Sequence, residues 1–171
     1  MTSRADHIVI IGAMGAGKTT VGRAIATRLG LGFVDSDDQI RALTGRDGAR
    51  IAEIEGVAAL HELELRVFWD ALDSPAPTVI AAAASVIDDP AVRAALDGVR
   101  CVWVDAEDEM LQSRRGTGKH RRRITEGEAM RLARRDPLFA SCAGVRIDTG
   151  SVTEHDAVSI AIEAFTGRDH G

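Results

Sequence analysis

The sequence predicts an α/β protein in which a five-stranded parallel sheet carries helices on both faces. Three observations lead there. Short β-branched runs alternate with segments whose apolar residues recur at helical spacing, the pattern of a parallel sheet covered on both sides. The first such run ends in a glycine-rich stretch, Gly12-Ala-Met-Gly-Ala-Gly-Lys-Thr19, that leads straight into a helical pattern. The 171 residues, 45% hydrophobic and 27% charged, suit a single domain with a core of its own.

Residues 7–11 give the first strand, and Val21, Ala24, Ile25 and Leu29 mark the helix after the glycine-rich stretch. A second strand spans 33–35, and the helix over 36–43 is closed off by Gly45 and Gly48. Residues 56–72 carry two overlapping apolar stripes, Leu60/Leu63/Val67 and Leu65/Phe68/Trp69/Leu72. They read as one long helix, stopped by Ser74-Pro75-Ala76-Pro77. Residues 78–82 are a buried strand, Asp89-Pro90 is the cap and first turn of a helix to Leu96, and 99–104 is the fourth strand. A helix at 107–114 precedes a polar, glycine-punctuated loop at 115–123, which reads as mobile, and a further helix at 126–135. Residues 145–148 are the fifth strand. Thr153-x-x-Asp156 then has the form of a capping box, opening a last helix with Val158, Ala161, Ile162 and Phe165 inward.

Several function classes drop out. The longest apolar run, residues 79–84, is far short of the ~20 residues of a membrane helix, and no basic-then-apolar leader precedes His7. Two cysteines, Cys101 and Cys142, give neither a disulfide framework nor a zinc pattern, so a reducing, cytoplasmic setting is expected. Cys101 and Trp103 read as core residues on their strand. With 21 basic against 26 acidic residues the net charge is −5, which argues against general nucleic-acid binding. Lys119 and the arginines at 121–123 share a loop with no aromatic residue for base stacking. Only two of the 21 basic residues are lysines, and one of them lies in the glycine-rich stretch.

That stretch satisfies G-x-x-x-x-G-K-[ST] between a predicted strand and a predicted helix, the setting its mechanism requires. A chance match is expected about 0.002 times in a chain of this composition. Glycines let backbone N–H groups turn inward around phosphate oxygens, and the helix N-terminus adds partial positive charge. Gly12, Gly15, Ala16, Gly17, Lys18, Thr19 and Thr20 are therefore the candidate nucleotide-binding residues. Lys18 is placed to reach the β- and γ-phosphates, and Thr19 to ligate Mg²⁺.

Asp35-Ser36-Asp37-Asp38 falls at the C-terminal end of the second strand, where open α/β sheets bind ligands. Asp35 suits the Mg²⁺ shell and Asp37 suits an attacking hydroxyl, as base or orienter. The same residues also suit capping of the next helix, for which Ser36 or Asp37 would serve.

From residue 7 to 165 the chain resembles the shikimate kinases. The resemblance rests on Gly12-Ala-Met-Gly-Ala-Gly-Lys-Thr-Thr-Val-Gly22, Phe33-Val-Asp-Ser-Asp37, Thr44-Gly-Arg46, Asp89-Pro-Ala-Val-Arg-Ala-Ala-Leu96 and Arg135-Asp-Pro-Leu-Phe139. It implies a three-layer P-loop kinase fold, with a substrate-binding region at 34–74 and a lid at 114–124. It also implies transfer of the γ-phosphate of ATP, with Mg²⁺, to the 3-hydroxyl of shikimate. On this resemblance Asp35 assists Mg²⁺ and Asp37 contacts the acceptor hydroxyls. Lid Arg121 meets the phosphates, Arg114 stacks on adenine, and Arg135 is one of two arginines that clamp the acceptor carboxylate. The expected partner is a small hydroxylated acid, with no nucleic acid or membrane, and the chain is expected to act as a monomer.

The chain departs from the family pattern at three places. His61 stands where the second clamping arginine is expected, and an imidazole cannot make a guanidinium's two-pronged contact. Ala83, Ala84 and Ser85 replace a Gly-Gly-Gly, so a position with positive φ would be strained there. The lid reads Arg121-Arg-Arg-Ile124 in place of Arg-Pro-Leu-Leu. Two of the three changes fall at the acceptor site, so the expectation is preserved ATP binding with altered acceptor recognition. The alternatives are a kinase for another polyol or sugar acid such as gluconate, or a nucleotide-binding paralogue without this activity.

Overall fold

The computed structural model describes residues 3–106 and 126–166. Its strands are β1 (Ile8–Ile11), β2 (Gly32–Asp35), β3 (Thr78–Ala81), β4 (Arg100–Asp105) and β5 (Val145–Asp148). Every pairing is parallel, in the order β2-β3-β1-β4-β5. Ile10 lies between Ala81 and Val102, and Asp35 lies opposite Ala81. The chain moves to one side of the sheet on leaving β1, towards β2, and to the other on leaving β3, towards β4, so the crevice of this sheet opens at the C-terminal ends of β1 and β3.

The described helices are α1 (Lys18–Leu29), α2 (Ser36–Thr44), α3 (Gly48–Glu55), α4 (Val57–Leu72), α5 (Pro90–Leu96), α6 (Glu126–Cys142) and α7 (Glu154–Thr166). Alternation along the strands divides the core. Ile8, Ile10, Val79, Val102, Val104 and Ile147 pack with Val21, Ile25, Ala161 and Phe165 of α1 and α7. Val9, Ile11, Ile80, Cys101 and Trp103 pack with Phe68, Leu72, Leu96 and Phe139 on the other face. Full burial of such side chains contributes about 1.5–3 kcal/mol each. Cys101 is wholly buried, and burial pushes its thiol pKa far upward, which makes it an inert core residue. None of the described helices is long and apolar enough to cross a membrane.

Two elements differ from the sequence reading. Gly48 does not break structure; it opens α3, because the Asp47 side chain accepts the N–H of Arg50 at 2.8 Å and caps the helix. Ile51 then joins Ile40 and Val67 in a third small cluster that ties α2, α3 and α4 together. The helix read as 126–135 continues to Cys142 through Pro137. Proline removes one helix hydrogen bond, but Phe139 is buried against Trp103, with ring centroids 6.0 Å apart, and tertiary packing carries the helix onward. The last helix opens as expected, with the Asp156 N–H donating to Thr153 Oγ1 at 3.2 Å. The helix and loop read at 107–123 lie outside the described residues.

Candidate active site

The glycine-rich loop leaves the end of β1 with Gly12 at φ +144°, and Gly15 and Gly17 also have positive φ. A Cβ on Gly12 would lie 2.1 Å from the Val104 carbonyl oxygen, so only glycine lets the loop pass β4 there. The Ala16 carbonyl accepts the Thr149 hydroxyl at 2.8 Å, which ties the loop to the end of β5. Lys18 Nζ donates to the carbonyls of Gly12 and Ala13, both at 2.9 Å, so its ammonium is folded over the loop that the helix N-terminus completes.

Asp35 performs two tasks with its two oxygens. Oδ1 accepts the N–H groups of Asp37 at 2.9 Å and Asp38 at 3.3 Å, capping α2. Oδ2 accepts the Thr19 hydroxyl at 2.6 Å. The cap is therefore Asp35, while the Ser36 hydroxyl accepts the Ala83 N–H at 3.2 Å and braces the strand-three loop. Donating its proton to Asp35 leaves the Thr19 oxygen its lone pairs. One hydroxyl beside one carboxylate is the sparse oxygen set that Mg²⁺ accepts when phosphates and water complete its shell. No group of three or more His, Cys, Asp or Glu side chains able to hold a metal by themselves occurs among the described residues. Asp37 is an exposed residue; the partial burial of its carboxyl first, and then the Asp35 carboxylate, raise its pKa above the ordinary 3.8, against the opposing pull of Lys18 and Arg41.

Both ends meet in one cleft of about 600 Å³. Gly15, Gly17, Lys18, Thr19 and Thr20 line its phosphate end, and Asp35 and Asp37 its middle. At the far end α4 contributes Val57, Leu60, His61 and Glu64, opposite Ala83, Ala84 and Ser85. The Ser85 hydroxyl donates to Glu64, whose pKa is raised by burial more than that bond lowers it. No described residue other than glycine has positive φ, and Ala83 sits at φ −60°, so the loss of the glycines costs no backbone strain. Arg135, from α6, lines the same end and is paired with Asp88 at 2.7 Å.

Gly12 and Ala16 do not line the cleft; Gly12 passes beneath Val104 and Ala16 is fully buried. Arg114 and Arg121 lie outside the described residues. Sequence reasoning overlooked Glu64 as a site residue and Asp88 altogether. The spacing of Glu64 three residues after His61 on a helix signals a shared face. Nothing local signals that Asp88 meets a side chain 47 residues away.

Known proteins are similar to this chain in sequence and fold. The shikimate kinase family model matches residues 14–165. A shikimate kinase of Symbiobacterium thermophilum is 35% identical over 170 residues, covering 95% of this chain and 97% of that one. The structure of an Acinetobacter baumannii shikimate kinase in complex with shikimate superposes with a TM-score of 0.82 at 29% identity, covering 96% of this chain and 95% of that one. An Aquifex aeolicus shikimate kinase, 22% identical, shares the fold with the same TM-score of 0.82, covering 96% of this chain and 99% of that one.

Proposed function

The chain belongs to the shikimate kinase family, and from that premise we propose that it moves the γ-phosphate of ATP to the 3-hydroxyl of shikimate. The observation that carries this reading is a single cleft lined both by the phosphate loop and by Asp37, His61 and Arg135.

Each group has a task in that cleft. Gly15, Gly17 and the N-terminus of α1 hold the triphosphate, with Lys18 moving from the loop carbonyls to the β- and γ-oxygens. Thr19 and Asp35 would hold Mg²⁺, whose charge would offset the negative charge on the phosphates. Asp37 accepts the proton of the acceptor hydroxyl as that oxygen bonds the γ-phosphorus and the bond to the ADP oxygen breaks. A carboxylate whose pKa is raised by burial is a stronger base than an ordinary aspartate. Arg135 meets the acceptor carboxylate, and His61 and Ser85 offer hydrogen bonds to its hydroxyls. The lid at 114–124, with Arg114 on adenine and Arg121 on the phosphates, enters this reading from the family resemblance.

The test is ADP release with Mg²⁺, ATP and shikimate, run beside quinate, gluconate and no acceptor. The expected result is turnover on shikimate above the others; turnover on gluconate with none on shikimate overturns the reading. Arg135→Ala is expected to raise KM for shikimate about ten- to a hundredfold, the loss of a charge-assisted contact of roughly 1.5–3 kcal/mol. An unchanged KM removes Arg135 from acceptor recognition.

A further inference from the structure

We propose that Asp88 is a positioning residue for Arg135, locking one edge of its guanidinium so that the other edge is presented to the acceptor carboxylate. The proposal rests on the reading above, in which Arg135 meets that carboxylate.

The geometry of the pair carries it. Arg135 Nε donates to both Asp88 oxygens at 3.1 Å, and Nη2 donates to Oδ2 at 2.7 Å. A guanidinium has five N–H donors. This contact takes the Nε proton and one on Nη2, leaving the end-on fork of Nη1 and Nη2 for a second carboxylate. Arg135 lines the cleft and its side chain is 16% exposed; Asp88 is not among the lining residues and is 42% exposed. The pair is thus made away from the acceptor, and Asp88 supports Arg135 without filling its place.

Asp88 is itself held still. Arg93 Nη1 donates to the carbonyls of Ile87 at 2.7 Å and Asp88 at 2.9 Å. Ile87 is completely buried, and the next residue, Asp89, caps α5 by accepting the Ala91 N–H at 2.7 Å. A backbone pinned on both sides thus delivers the carboxylate, and the hydrogen bonds from Arg135 hold that carboxylate ionised by lowering its pKa. An arginine already ordered by such a partner loses less freedom when a ligand arrives. The device matters more here because His61 stands at the other clamping position. Among the described residues lining the cleft, Arg135 is the only arginine and Lys18, at the opposite end, the only lysine.

Steady-state kinetics of Asp88→Ala, Asp88→Asn, Arg135→Ala and the Asp88→Ala/Arg135→Ala double variant test this, with thermal melts confirming that each folds. Asp88→Ala is expected to raise KM for shikimate about tenfold, the usual scale for losing a residue that orients a ligand-binding group. Its kcat stays within about twofold, because the contact binds substrate and transition state alike. KM for ATP is unchanged. Asp88→Asn gives a smaller rise, since its amide oxygen still accepts one N–H, and it carries the test if the alanine variant does not fold. In the Arg135→Ala background, Asp88→Ala has no further effect. With the methyl ester of shikimate, which lacks the charge, Asp88→Ala matches the unsubstituted protein.

Three results overturn the proposal: an unchanged KM, an equal rise with and without Arg135, or a lowered KM, which would make Asp88 a competitor for Arg135. Absence of shikimate turnover by the unsubstituted protein overturns both this proposal and the function it rests on. Normal turnover with an indifferent Asp88 variant overturns this proposal alone.

Discussion

Replacing Asp37 by asparagine lowers kcat by about 10²–10⁴, the range in which a positioned general base contributes, and leaves nucleotide affinity as it was. Asp37 lines the middle of the cleft and makes its backbone contribution to the α2 cap through its N–H, which asparagine retains. Calorimetric titration with a non-hydrolysable ATP analogue reads the affinity, and the ADP-release assay reads kcat. A variant with kcat within threefold of the parent ends the role given to Asp37.

The same residue predicts a pH dependence of both activity and stability. Burial and Asp35 raise its pKa, so the basic form is lost as pH falls through a value above the ordinary 3.8, and kcat/KM falls with it. For stability the sign is opposite to that of a paired carboxylate. The folded protein holds the proton more tightly than the unfolded chain, so this group's contribution to stability declines as pH rises from 3.8 through the raised pKa. Asp37→Asn removes that decline, and its Tm relative to the parent rises across the same interval. A less active, more stable variant above that window is the expected signature of a carboxylate kept in place for chemistry.

Gly12→Ala has the largest expected effect on folding. Its Cβ would lie 2.1 Å from the Val104 carbonyl oxygen and 3.1 Å from the carbonyl carbon, at φ +144°. Val104 lies in β4, between β1 and β5, and is fully buried, so the clash is not relieved by turning a side chain. The expected cost is on the order of 3–5 kcal/mol, backbone strain added to overpacking, a large part of the 5–15 kcal/mol typical of a domain. Gly45→Ala is the control: φ is +70° and nothing lies within 4 Å, so only the left-handed penalty of about 1–2 kcal/mol applies. Urea midpoints for the two variants measure the difference, and equal midpoints refute the account of Gly12.

The β-branched runs at 8–11, 78–81 and 100–104 and the stripes on 57–72 are legible because every second or every third to fourth residue answers to one packing surface. Gly48 misleads for the opposite reason. A glycine signals a break locally, but capping by Asp47 and burial of Ile51 outweigh its propensity. Pro137 misleads in the same way, overruled by Phe139 against Trp103. Lys18, Thr19, Asp35 and Asp37 line the cleft and can be named from the sequence because each pair falls in one short run of residues at the end of a strand. Ala83–Ser85 invited an expectation of strain, since the sequence carries no φ; the loop meets none.

The sequence by itself determines the alternation of strands and helices, the phosphate loop, and the aspartates that follow the second strand, all of which depend on neighbours a few residues apart. Only the tertiary structure decides the strand order that brings β2 beside β3, the Thr19 to Asp35 bond, and the contact of Ser85 with Glu64. It alone decides that Arg135 enters the cleft already gripped by Asp88. These contacts join residues 16 to 47 positions apart, and no periodicity or propensity encodes a distance across the fold.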